Sequence, residues 1–155
     1  MKRLLLLLGL LIATGAYAVE MPYNPAADAN ADVQQALTKA KAEHTPVLLI
    51  FGANWCEDCR ALDRALKTGK NAQLLDQQFV VVKVDVGNFD HNLDLEKHYG
   101  DPIGKGIPAA VIVSPNDQVL YSTRAGELSN ARRMNDEGIY GFLKQALAKA
   151  QSAKK

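Results

Sequence analysis

Cys56 and Cys59 are the only cysteines in this chain, and their position constrains the fold more than any other feature. They follow Val47-Leu48-Leu49-Ile50-Phe51, a short continuous apolar run of the kind found in a strand covered on both faces. They precede Ala61, Leu62, Ala65 and Leu66, which fall at helical spacing. The pair therefore sits where a strand ends and a helix begins, within Trp55-Cys56-Glu57-Asp58-Cys59. A helix N-terminus presents unpaired N–H groups and the positive end of the dipole, so it stabilises a thiolate on the first cysteine and lowers its pKa. With Glu57 and Asp58 between them, the second cysteine lies in the first helical turn, close enough to attack a mixed disulfide on the first. Cys56 is the expected nucleophile and Cys59 the expected resolving thiol.

Two other chemistries use paired cysteines. A structural staple is common in exported proteins, but so short a loop removes little chain entropy. Paired cysteines also supply half of a four-ligand zinc site; here no second pair exists, and His44, His91 and His98 have no tight ligand spacing with the motif. Neither a metal nor a cofactor is expected, and those histidines read as surface or partly packed residues.

At the N-terminus, Met1, Lys2 and Arg3 precede an apolar stretch from Leu4 to Ile12 and a small-residue run, Ala13 to Ala18, which is the layout of a secretory signal. The stretch is shorter than the roughly 20 residues that span a bilayer. Ala16-Tyr17-Ala18 supplies an A-x-A site, so cleavage after Ala18, no stable membrane insertion and a periplasmic or otherwise exported location are expected; a retained anchor is the rival. With no cysteine following that site, lipid attachment is not expected. Cleavage removes Lys2 and Arg3 from 18 basic residues, leaving 16 against 17 acidic ones and a formal net charge of −1. Nothing in that balance points to a nucleic acid or a membrane surface as partner. The remaining length suits one domain with one core.

Residues 19–31, with Pro22, Pro25 and several alanines, read as a loosely ordered lead-in, residues 32–151 as the domain and 152–155 as a basic tail. Val33, Ala36, Leu37 and Ala40 place one apolar stripe on a helix ending near His44, closed by Pro46. Phe79 to Val86, broken by Lys83 and Asp85, is the next strand, and the interval before it holds a crossover helix, giving a parallel βαβ unit. A short helix around Leu93 to Tyr99 follows. Ala109 to Val113 and Val119 to Thr123, joined through Pro115-Asn116-Asp117, form an antiparallel hairpin. Ile139, Phe142, Leu143, Ala146 and Leu147 make a closing helix, whose start Asn135, Gly138 and Gly141 are expected to weaken. Arg132-Arg133-Met134 reads as a polar connection. The fold class is α/β, a central mixed sheet flanked by helices.

Three segments in this order, Phe51-Gly52-Ala53-Asn54-Trp55-Cys56-Glu57-Asp58-Cys59-Arg60, Val81-Val82-Lys83-Val84-Asp85-Val86 and Gly106-Ile107-Pro108, resemble the active-site, central-strand and cis-proline segments of the thioredoxin family. Within it the chain is similar to exported thioredoxin-like reductases, including the C-terminal domain of the membrane thiol reductase that feeds electrons to the periplasm. The resemblance implies a thioredoxin fold, a cis Pro108 facing the cysteines, an Ile107 backbone that hydrogen-bonds an extended substrate, a docking role for Trp55 and a central-strand lysine in Lys83. It also implies disulfide-containing client proteins and a membrane thiol electron donor; a monomer is expected.

Two departures stand out. The buried acid that thioredoxins carry six residues before the first cysteine is Ile50 here, which leaves Glu57, Asp58 and Lys83 as candidates for tuning or proton transfer; the two acids read first as solvated residues favoured by the helix dipole. Asp101-Pro102-Ile103-Gly104-Lys105 lengthens the loop before Pro108, beside the expected docking groove. Negative charge at Glu57 and Asp58 opposes a Cys56 thiolate, so the disulfide is expected to be weakly oxidising and the protein a disulfide reductase. An oxidase or isomerase on the same fold, and a non-catalytic client- or metal-binding module, are the alternatives.

Overall fold

A computed structural model describes residues 21–153. The expected leader and its cleavage site, and Lys154 and Lys155 of the tail, lie outside the described residues. Helix α1 (Ala29–Glu43) starts behind Asp28, whose carboxylate accepts from Ala31 N at 3.0 Å, a capping arrangement that satisfies an orphan N–H. Its stripe of Val33, Ala36, Leu37 and Ala40 is buried, as the periodicity requires. Strand β1 (Val47–Gly52) follows, then α2 (Glu57–Leu66), α3 (Gly69–Gln78) and β2 (Val80–Asp85). After the short α4 (Leu93–His98) come β3 (Ala109–Val113), β4 (Val119–Ser122), a 3-10 turn at Ala131–Arg133 and α5 (Asp136–Ser152).

The sheet order is β2-β1-β3-β4, with β1 parallel to β2 and antiparallel to β3, and β3 antiparallel to β4. The expected mixed sheet is present, with β1 at its centre and buried on both faces. Successive strand residues point to opposite faces. Val47, Leu49 and Phe51 therefore pack with the α1 stripe, whereas Leu48 and Ile50 pack with Leu62 and Leu66 of α2, Leu75 of α3 and the apolar face of α5. No helix among the described residues is long and apolar enough to cross a membrane.

Four expectations need correction. The lead-in is not loose: α1 takes its last residues, and Tyr23 is buried at 3% exposure, its N–H and carbonyl both bonded to the Asn54 side chain at 3.0 and 2.7 Å. The crossover holds two helices rather than one, because the chain turns at Lys67-Thr68 and Gly69 takes a left-handed φ of 52° that a glycine accepts without steric cost. The last helix is not weak at its start: Asn135 caps it, its Oδ1 accepting from Gly138 N at 2.8 Å. It also runs through Ser152, into the expected tail.

The 101–105 loop is anchored rather than free. Pro102 and Ile103 are buried, and Gly106 N donates to Ile103 O at 2.8 Å immediately before Ile107. Buried Glu96 of α4 faces Asp101 at the loop's start. Burial first, then the hydrogen bond and charge of Asp101, push its carboxyl from 4.5 up to about 7. An acid whose pKa is raised by folding stabilises the fold in its protonated form. That stability is complete below pH 4.5 and is lost as pH rises through about 7, by roughly 1–3 kcal/mol. Glu96→Gln is expected to flatten this slope; urea denaturation at pH 5 and pH 8 showing the same loss in both proteins would assign it to another group.

Candidate active site

Cys56 is the N-cap of α2, and its sulfur accepts the N–H of Cys59 at 3.1 Å. The two cysteines form a disulfide with Cα atoms 5.2 Å apart. Both cysteines are buried, Cys59 at 1% exposure and Cys56 at 6%, so Cys56 is the less buried residue. Cys56 Sγ lies 3.7 Å from the carbonyl oxygen of Ile107, and the Ile107–Pro108 peptide bond is cis. The motif and the 106–108 segment, 51 residues apart in sequence, thus meet at one point.

Trp55 is half exposed beside the pair; its indole N–H donates to Gly87 O at 2.8 Å, and its ring meets Phe89 edge-on at 6.0 Å. Phe89, itself exposed and missed from the sequence, extends this aromatic face. On the other side, Arg60 donates to Asn54 O, and Asn54 holds Tyr23. Tyr23 and Cys59 share the space over Gly52: a Cβ added there would collide with the Tyr23 hydroxyl and lie 2.9 Å from Cys59 Sγ. Burial, with the charges of Asp63 and Asp85 close by, holds the Tyr23 phenol well above its usual range, so it stays protonated.

Lys83 stands opposite Ile50 in the β1–β2 register, and its ammonium pairs with Asp63, a carboxylate only 3% exposed. Lys67 pairs with the second oxygen of Asp63 at 2.9 Å. Position 50 holds no acid, but α2 carries a buried one, Asp63, one turn after Cys59. Asp63 was missed in the sequence, although an acid at that spacing on the face of Cys59, Leu62 and Leu66 is a readable signal.

The solvated reading of the two motif acids holds for Glu57 only. Asp58 Oδ1 accepts the backbone N–H of Arg132 at 2.9 Å, and the Arg132 guanidinium lies 3.1 Å from Glu57 and 3.4 Å from the other Asp58 oxygen. The stretch around Arg132 is therefore docked on α2 rather than being a polar connection, its Ala131 buried.

Residues 28–115 match the thioredoxin-like family profile. The chain belongs to the thioredoxin-like family. This thioredoxin-like protein is similar to a disulphide isomerase from Xylella fastidiosa Temecula1, with 54% identity, a TM-score of 0.81 and coverage of 83% of this chain and 98% of that one. It shares its fold with the oxidised DsbD C-terminal domain of Neisseria meningitidis at 23% identity and a TM-score of 0.51, over 76% of this chain and 95% of that one. Anterior gradient protein 2 of Xenopus tropicalis is 29% identical over 117 residues, which are 76% of this chain. The chain spans 66% of that relative's length.

Proposed function

We propose that this protein reduces disulfides of client proteins in the cell envelope, cycling Cys56 and Cys59 between dithiol and disulfide. The observation that carries the reading is the position of Cys56: sulfur at the N-terminus of α2, next to the carbonyl of the residue before a cis-proline. The Cys56 thiolate attacks a client disulfide, one client thiolate leaves, and a mixed disulfide forms. Cys59 then loses its proton and attacks Cys56 Sγ, releasing the second client thiol and closing the Cys56–Cys59 disulfide. Two electrons pass to the client, and a membrane dithiol donor returns them.

Trp55 with Phe89, and the Ile107–Pro108 backbone, flank the reacting sulfur and form the docking surface. Asp63, paired with Lys83, takes the proton of Cys59. Export rests on the basic start, the Leu4–Ile12 stretch and the Ala16-Tyr17-Ala18 site. Disulfide isomerisation is the second reading, favoured by the similarity to the Xylella protein.

The direction is tested by the equilibrium potential of the pair in glutathione and dithiothreitol buffers with thiol trapping. A value near about −270 mV supports reduction, and one near about −120 mV overturns it in favour of oxidation. Recovery of activity from a scrambled disulfide-bonded enzyme, with an intermediate potential, selects isomerisation.

A further inference from the structure

Among the described residues Arg132 has no hydrogen bond to either cysteine, yet it engages both acids that lie between them. Three contacts fix it: backbone N–H to Asp58 Oδ1 at 2.9 Å, guanidinium to Glu57 Oε2 at 3.1 Å, and guanidinium to Asp58 Oδ2 at 3.4 Å. These contacts close a sequence separation of 74 and 75 residues, so they depend on the 3-10 turn at Ala131–Arg133 seating against α2. Asp58 is the better held acid, its side chain 13% exposed against 66% for Glu57.

We propose that Arg132 is a positioning residue of the redox centre, which offsets the negative charge of Glu57 and Asp58 beside Cys56 and thereby sets the potential of the cysteine pair. The inference rests on the reading of Cys56–Cys59 as a redox pair and holds for either direction of electron flow. The carboxylates in the first turn of α2 oppose a thiolate at its N-cap, and one guanidinium shared between them cancels part of that opposition. It also holds Asp58 against the 3-10 turn. The reduced form, which carries the Cys56 thiolate, is therefore stabilised relative to the disulfide, and the pair is made more oxidising than its own two acids would leave it.

The test is the equilibrium constant with glutathione for Arg132→Met, measured in the wild-type chain and again in a chain carrying Glu57→Gln and Asp58→Asn. In the first background the variant is expected to become about fivefold more reducing, about 20 mV at 29.6 mV per tenfold, with the Cys56 pKa raised. In the second, Arg132 has lost the two charges that hold its half-exposed guanidinium beside the motif, and the same substitution changes the constant less than twofold. The first shift shrinks in 1 M salt, as expected for a half-exposed guanidinium. Arg132→Lys keeps the charge and is expected to restore most of the wild-type constant, which separates electrostatics from loss of packing. An unchanged constant in the first background, or an equal shift in both, overturns the inference. A pair that reaches no reversible equilibrium in the wild-type chain overturns the underlying redox reading instead.

Discussion

Cys56→Ser is expected to abolish disulfide exchange, lowering the rate by about a thousandfold or more, because a serine hydroxyl is not ionised at neutral pH as a thiolate is. Cys59→Ser is expected to behave differently. It keeps the first attack and loses the second, so turnover stops with the client bound covalently to Cys56. The asymmetry follows from the site: Cys56 is the less buried residue and its sulfur sits beside the Ile107 carbonyl, whereas Cys59, at 1% exposure, has its sulfur packed with Tyr23 over Gly52. Reduction of a fluorescent peptide disulfide gives the rates, and mass spectrometry shows which variant retains an adduct. Adducts accumulating on Cys56→Ser would reverse the assignment of the two sulfurs, and exchange surviving that substitution would leave only a client-gripping role.

Gly52→Ala is expected to cost about 2–3 kcal/mol although a methyl group is ordinarily well tolerated in a strand. The new Cβ meets the Tyr23 hydroxyl and the Tyr23 ring carbon that bears it, and stands 2.9 Å from Cys59 Sγ. None of these can give way easily. Tyr23 is buried and tethered through its backbone to Asn54, and Cys59 is fixed by the disulfide and by α2. Tyr23→Phe deletes the hydroxyl that the methyl encounters, so Gly52→Ala should cost about 1 kcal/mol less in that background, a coupling that a double-mutant cycle in urea resolves. Equal costs in both backgrounds would place the collision elsewhere.

Much of this architecture was legible because its signals are local. The apolar run at 47–51, the stripe of Val33, Ala36, Leu37 and Ala40, and the turn at Pro115-Asn116-Asp117 each declare their element within a few residues. The errors were local too. Asn135 is a good cap, and it outweighs the low helix propensity of Gly138 and Gly141 because the apolar face of α5 is paid for by burial against the sheet. Lys67 and Thr68 divide into α2 and α3 an interval in which helical spacing was legible only from Ala61 to Leu66.

What the sequence determined by itself is the βα junction that carries Cys56 and Cys59, the order of the strands and the apolar stripes of α1 and α5. All of these follow from periodicity and from the chemistry of neighbouring residues. What only the tertiary structure decided is who meets whom. Asp63 for Lys83, Asn54 for Tyr23, and Arg132 for Glu57 and Asp58 are pairings across 20, 31 and 74 or 75 residues. A polar side chain seeks any partner of fitting charge and geometry. Which one it finds depends on how the helices are laid on the two faces of the sheet, and that is settled when the apolar stripes are buried together, not by the residues on either side of it in the chain.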